Sequence, residues 1–213
     1  MWNVSFQLEM AKAMSASSVT TPSAESLAAS VRAAKSGGRD LPPVHEWNPP
    51  FCGDLDMRIA RDGSWWYLGT PIGRIALVKL FASVIRKDGD DYFLVTPVEK
   101  VGITVDDAPF VAVDFRVTDP RGPEQALTFV TSLDDEAEAG PEHPIRVARD
   151  PETGEPSPYV LMRTNLEALI DRKSFYRLIE VCEHREIEGT RWFGVRSRGE
   201  FFPIIPSAEL PED

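Results

Sequence analysis

The chain has 213 residues, which is enough for one large domain or two small ones, and its 42% hydrophobic content is ordinary for a protein with a buried core. Its 34 acidic and 23 basic side chains give a net charge of -11, which disfavours nucleic acid and anionic membranes as partners. Two cysteines in a chain of this length indicate a reducing compartment, so the cytoplasm is the expected location.

The first 40 residues are predicted to be a tail with one short helix. Ser23 is a suitable N-cap, and Leu27 and Val31 fall on one helical face. The segment from Leu41 to Gly53 contains four prolines, which predicts an extended connector.

A hairpin and a buried helix are predicted next. Apolar and polar residues alternate on both sides of Asp62-Gly63, a dipeptide that suits a tight hairpin turn. Thr70 is predicted to cap a helix that has Pro71 in its first turn and ends at Gly89. The apolar residues cover most of its circumference, so this helix is expected to be buried.

The remaining elements are mostly strands. We expect strands at Tyr92–Thr96, Val98–Val105, Phe110–Thr118, Gln125–Leu133 and Ile145–Arg149. The segment Tyr159–Arg172 fits either a second hairpin that turns at Thr164-Asn165 or a helix capped by Asn165. A helix over Ser174–Arg185 and a strand pair over Arg191–Ile205 complete the pattern.

Two segments share one order of elements. Leu55–Ile103 and Tyr159–Ile204 both follow the order strand, turn, strand, helix, polar turn, aromatic strand, turn, strand, and they place Met57-Arg58 opposite Met162-Arg163. Either an internal duplication or a coincidence of pattern explains this. The prediction is an α+β fold with duplicated hairpin–helix–hairpin units and antiparallel sheets. Its parts are a tail and helix (1–40), an N-terminal half (41–109), a C-terminal half (110–206) and a tail (207–213).

Four stretches resemble a known family. "DGSWWYLGTPIGR", "TPVEK", "DAPF" and "PYVLMR" are similar to the bacterial family catalogued as domain of unknown function 1285, over about residues 40–205. Thr164-Asn165-Leu166 stands where the family pattern has Gly-Gly-Leu. The resemblance implies a duplicated core whose C-terminal half resembles a pleckstrin-homology-type barrel. It implies no established activity, but it does suggest a nucleotide-like ligand between the halves and a signalling role.

The candidate binding residues are basic groups near a helix start, together with their neighbours. Free backbone N–H groups at a Gly-Thr-Pro helix start and nearby arginines can hold a phosphate or carboxylate. The competing interpretation is that Thr70 is a plain cap and the arginines are paired with carboxylates. One of Glu99 and Lys100 is expected to face the interior and to need a partner. The candidate set is Arg58, Thr70, Arg74, Glu99, Lys100, Arg163 and Arg172.

The favoured function is a binding or signalling module for a small anion, with its site between the two halves. The alternative is a protein–protein interaction or adaptor domain in which the arginines are structural. An enzyme that uses Cys52 or His45 is a third possibility, and the sequence leans away from it. With three histidines and no CxxC or HExxH pattern, no metal and no cofactor are expected. A pocket between the halves would distinguish the first two functions.

Overall fold

The computed structural model of the protein describes residues 23–34 and 41–210. In this part of the chain, strands greatly outnumber helices. The helices are α1 (Ala24–Ala34), α2 (Ile75–Ala82) and α3 (Arg172–Ile179), with a 3-10 turn at Ser207–Glu209. The strands are β1 (Phe51–Ile59), β2 (Trp65–Tyr67), β3 (Thr70–Pro71), β4 (Ile85–Asp88), β5 (Asp91–Val95), β6 (Lys100–Val105), β7 (Phe110–Thr118), β8 (Ala126–Thr131), β9 (Glu136–Glu138), β10 (Ile145–Arg149), β11 (Pro156–Arg163), β12 (Leu166–Ile170), β13 (Glu183–Ile187), β14 (Thr190–Ser197) and β15 (Glu200–Pro206).

Two six-stranded sheets have the same design. The N-sheet has the order β3-β2-β1-β6-β5-β4, and the C-sheet has the order β10-β11-β12-β7-β8-β9. In each sheet, two antiparallel three-stranded units meet at a parallel central pair, β1 with β6 and β7 with β12. The predicted antiparallel pairing therefore fails at the centre of both sheets. The similarity of the two sheets supports a duplication within an α+β fold, but its units are β1–β6 and β7–β12 and not the predicted segments Leu55–Ile103 and Tyr159–Ile204.

The first hairpin forms where the sequence predicts it. β1 and β2 pair antiparallel, with Met57 opposite Tyr67. Asp62 closes the turn, since its Oδ1 accepts a hydrogen bond from the Ser64 backbone N–H at 2.9 Å. Gly63 has φ +82°, and a Cβ there would lie 3.0 Å from the Val111 side chain of β7. The hairpin tip therefore packs against the C-terminal half, and only glycine fits.

The predicted helix from Thr70 to Gly89 is wrong at both ends. Thr70 and Pro71 form β3, paired with Tyr67 and Trp66, so Thr70 is not an N-cap. Helix α2 begins at Ile75 after Arg74, which has an extended backbone and makes no side-chain cap. It ends at Ala82, and residues 85–88 become strand β4. An apolar run rich in β-branched residues suits a buried strand as well as a helix, and pairing with β5 decides the outcome.

The second hairpin is confirmed, and the helix after it is shorter than predicted. β11 and β12 pair antiparallel around Thr164-Asn165, which excludes a helix capped by Asn165. Helix α3 is capped by Asp171, whose Oδ1 accepts from the Ser174 backbone N–H at 2.7 Å. The prediction of helix through Arg185 is wrong, because Glu183–Ile187 form β13.

One hydrophobic core runs through both halves. It includes the fully buried rings of Phe81 in the N-terminal half and Phe129 in the C-terminal half. Helix α1 also contributes, because Leu27 and Val31 are fully buried. The third sheet, β13-β14-β15, is tied to the C-sheet by the buried Ser197, whose Oγ donates to the Ala139 carbonyl at 2.6 Å. No helix within residues 23–34 and 41–210 is long and apolar enough to cross a membrane.

Candidate functional site

A cavity opens between the two halves. We call it the inter-half groove; it encloses about 240 Å³, close to the lower end of the roughly 300–1,000 Å³ typical of small-molecule sites. A smaller cavity of about 160 Å³ shares Leu41, Ser83 and Arg163 with it. The groove is lined by Leu41, Pro42, Pro43, Val44, His45, Ser83, Ile85, Arg86, Arg163, Thr164, Asn165 and Leu166.

Arg163, at the end of β11, is the central cation of this groove. Its Nη2 donates to the backbone carbonyl of Ala82, and its guanidinium carbon lies 4.9 Å from the centre of the Phe110 ring. Its Nη1 is buried and has no hydrogen-bond partner among the described residues. Burial lowers the pKa of Arg163, and the nearby charge of Asp135 opposes that shift. The buried Nη1 is therefore left without a hydrogen-bond partner among the described residues.

The wall beside Arg163 is a strained turn. Thr164 has φ +48°, a left-handed conformation that is unfavourable for a β-branched side chain. Its neighbour Asn165 donates from Nδ2 to the Lys87 carbonyl of β4 at 3.1 Å, which connects the turn to the N-terminal half. Backbone strain of this kind is held by surrounding contacts and is concentrated at functional sites.

The opposite wall is the proline-rich connector. Arg86 of β4 holds it by donating from Nη1 to the carbonyls of Val44 at 3.1 Å and Trp47 at 2.7 Å. The other end of the same guanidinium contacts Asp88 Oδ2 at 2.8 Å. Both walls are thus fixed by hydrogen bonds to main-chain atoms, and the groove is preformed.

Arg58 lies outside the groove, on the exposed side of β1. Its Nε contacts Asp106 Oδ1 at 2.7 Å and its Nη2 contacts Oδ2 at 2.5 Å. This two-pronged hydrogen bonding, with the attraction of opposite charges, raises the pKa of Arg58 and lowers that of Asp106. The guanidinium is therefore already paired with the Asp106 carboxylate.

The helix-start motif is not formed as predicted. Thr70 and Arg74 are both exposed, and neither lines the inter-half groove. Because Thr70 lies in a strand, no helix N-terminus presents its N–H groups there.

Glu99 and Lys100 have structural partners. Glu99 Oε1 accepts from Ser30 Oγ of α1 at 2.9 Å. Lys100 Nζ lies 2.8 Å from Asp88 Oδ2 and 3.9 Å from the centre of the Phe93 ring. These contacts anchor α1 and the edge of the N-sheet.

Arg172 lies at a different place, at the start of α3. Its guanidinium contacts the Tyr176 hydroxyl at 3.1 Å and lines a second cavity of about 340 Å³ together with Arg61. Of the seven residues predicted for one site, Arg163 alone lines the inter-half groove. Sequence reasoning missed the others that do, although the proline-rich connector and the Thr164-Asn165 turn were both recognised as elements.

The two cysteines and His45 bear on the enzyme alternative. Burial raises the pKa of the Cys182 thiol to about 12, which keeps it protonated at neutral pH. Cys52 is half-buried, and its Sγ donates to the Pro50 carbonyl at 3.5 Å. His45 lines the groove with a mostly exposed side chain. Within residues 23–34 and 41–210, no three His, Cys, Asp or Glu side chains converge in a way that could hold a metal ion.

These features define a class of protein: an α+β chain built from two similar six-stranded sheets, with a preformed groove between its halves. Two family models match, one described as the N-terminal domain of a domain of unknown function (DUF1285) over residues 42–108 and the other as its C-terminal domain over residues 109–204. The chain therefore belongs to the DUF1285 family, which confirms the resemblance found in the sequence.

Two solved structures are similar to this chain. A DUF1285 family protein from Silicibacter pomeroyi DSS-3 is 60% identical, with a TM-score of 0.76, over 86% of this chain and 96% of that one. A DUF1285 family protein from Shewanella baltica OS155 is 30% identical, with a TM-score of 0.46, over 59% of this chain and 91% of that one. No curated protein matches the chain.

Proposed function

We propose that the protein is a binding module for a small anion, and that the inter-half groove is its site. The observation that carries this proposal is the buried Nη1 of Arg163, which has no partner among the described residues. Leaving a buried charged donor without a hydrogen bond costs free energy, so a ligand that supplies an acceptor would be stabilised there.

The position of the groove suggests how binding could be transmitted. Arg163 and Asn165 belong to the C-terminal half, while Ala82 and Lys87 belong to the N-terminal half. A ligand that contacts Arg163 would therefore add a contact at the junction of the halves and change how firmly they are held together. This arrangement suits the signalling role that the family resemblance implies. The pleckstrin-homology-type C-terminal half that the same resemblance implies would also suit that role.

A protein-interaction role has one specific observation in its favour. Leu68 and Ile75, near the edge strand β3, have exposed fractions of 64% and 55%. Helix α1 is a poor candidate for docking on a partner, because Leu27 and Val31 are already buried in the core. The adaptor alternative therefore rests on the exposed apolar side chains beside the edge strand β3.

The anion-binding proposal is tested by thermal shift and calorimetry with a panel of anions. We expect at least one anion to stabilise the protein, and we expect Arg163→Gln to remove that effect because glutamine carries no charge. Arg172→Gln is the matched control, since Arg172 lies outside the groove. Absence of any stabilisation at millimolar concentrations, or equal loss in the two variants, would refute the proposal.

A further inference from the structure

We infer that the ligand of the inter-half groove is a monocarboxylate with an apolar body, and not a phosphate ester or nucleotide. This inference rests on the proposed function, because it names the chemical class that the same groove would take. Three properties of the groove support it: its charge, the helix end that faces it and the nature of its walls.

Two arginines line the groove, and Asp88 balances the charge of one of them, Arg86. The Nη2 of Arg163 is engaged by the Ala82 carbonyl, and its Nη1 has no partner among the described residues. Arg86 is also held by the Val44 and Trp47 carbonyls, although its buried Nε likewise lacks a partner among those residues. A phosphate dianion needs several converging donors, whereas a single carboxylate needs few.

The helix that borders the groove presents the wrong end for a phosphate. Ala82 is the last residue of α2, and Ser83, its C-cap, lines the groove. The C-terminal end of a helix dipole carries partial negative charge, which disfavours a multiply charged anion. In α2 the last carbonyls accept hydrogen bonds from Ser83, Val84 and Arg163. Phosphate sites typically use the opposite end of a helix, where N–H groups are free.

The walls of the groove suit an apolar body. Beside Arg163, the lining consists largely of aliphatic and proline side chains, which gain free energy when a ligand removes them from water. The apolar lining residues are Leu41, Pro42, Pro43, Val44, Ile85 and Leu166. Apart from the mostly exposed imidazole of His45, this lining has no aromatic ring for stacking a base, and it has no glycine-rich loop, although both are common in nucleotide sites.

Calorimetric titration of the full chain with five probes tests the inference. The probes are phenylpropionate, its neutral analogue phenylpropanol, acetate, adenosine monophosphate and inorganic phosphate. We expect phenylpropionate to bind at least about tenfold more tightly than each of the others, since it alone has both the charge and the apolar body.

Two pairs of variants locate the binding. Arg163→Gln should weaken phenylpropionate binding at least about tenfold, while Arg172→Gln leaves it unchanged. Leu41→Asp should also weaken it at least about tenfold, because it adds a negative charge and removes part of the apolar wall. Leu68→Asp is the control, and both leucines are sufficiently exposed, at 49% and 64%, for the variants to fold.

The outcomes separate the inference from the proposed function. If adenosine monophosphate or inorganic phosphate binds in an Arg163-dependent way and phenylpropionate does not, the inference is wrong and the anion-binding function stands. If phenylpropionate binds equally well to the Leu41→Asp and Leu68→Asp variants, its site is not this groove and the inference fails. If no probe binds the wild-type protein, the inference and the proposed function both fail.

Discussion

Arg58 and Arg163 hold the same position in the two segments that share an order of elements, but the structure places them on strands that do not correspond. Strand β1 lies at the centre of the N-sheet, whereas β11 is one strand away from the centre of the C-sheet. Each arginine follows a buried methionine, Met57 in β1 and Met162 in β11. Arg58 is exposed and fully paired with the carboxylate of Asp106. Arg163 is largely buried, faces a main-chain carbonyl and keeps a donor without a described partner.

This difference is the reason for assigning Arg58 to an ion pair and for proposing Arg163 as the binding residue. An exposed ion pair contributes little, because water and salt screen both charges. A buried guanidinium is costly unless other groups satisfy it, and so it persists only where it is needed. The contrast directs attention to Arg163, although the sequence made both arginines equal candidates.

The largest expected effect on stability concerns Met57 and Met162, the buried methionines that precede the two arginines. Met57→Ala and Met162→Ala should each lower the free energy of unfolding by about 2–5 kcal/mol, because both side chains are buried in the core. Chemical denaturation gives both values when the unfolding free energies of the wild type and the variants are fitted with the same dependence on denaturant concentration. A loss of unfolding free energy near zero at one position would show that the two methionines do not contribute alike to the core.

The next largest effect on stability distinguishes Arg163 from Arg58. Arg163→Ala should lower the free energy of unfolding by about 1–3 kcal/mol, since the buried carbonyl of Ala82 loses its donor. A loss on Arg58→Ala as large as that on Arg163→Ala would remove the distinction we draw.

A smaller effect concerns Asp88, the carboxylate that pairs with Arg86 and Lys100. Burial raises the pKa of Asp88, but hydrogen bonds from Arg86 and Lys100 lower it more, so the net shift is downward. The stabilisation is therefore present above about pH 4 and is lost as the pH falls through the lowered pKa. Asp88→Asn should cost no more than about 1 kcal/mol at neutral pH, because the carboxylate is partly exposed and screened.

Denaturation at a series of pH values checks the Asp88 prediction. The difference between the wild type and the Asp88→Asn variant should shrink in acid. A difference that is constant from neutral pH to strong acid would contradict an electrostatic role.

The smallest effect is expected at Arg58. Arg58→Gln should change stability only slightly at low salt, and the change should disappear as the salt concentration rises, because both partners are exposed to solvent. Thermal unfolding at low and high ionic strength measures it. A difference that survives in high salt would indicate that Arg58 contributes through packing.

The sequence predicts elements well where one local signal dominates. Asp62-Gly63 specifies its turn through backbone conformation alone, and the Thr164-Asn165 hairpin forms as one of two stated alternatives. The boundaries of α2 were missed because residues 70–71 and 85–88 take their structure from pairing with β2 and β5. Those partners outweigh the local preference for helix.

The candidate site was harder to predict than the fold. Nothing local reveals that β1 pairs with β6 or that β7 pairs with β12, and these pairs set which side chains meet. Arg58 lies beside Asp106 because of such distant pairing, whereas Arg163 lies beside the end of α2. The arginines could be named from the sequence, but their partners could not.

The parallel central pairs also impose an order on synthesis. In each six-stranded sheet the first and last strands to be made lie side by side at the centre, so the N-sheet can close only after β6 has left the ribosome, and the C-sheet only after β12. The inter-half groove takes residues from Leu41 to Leu166, almost the whole of that span. A nascent chain that stops before residue 166 therefore has an unpaired edge on β7 and lacks part of the groove lining.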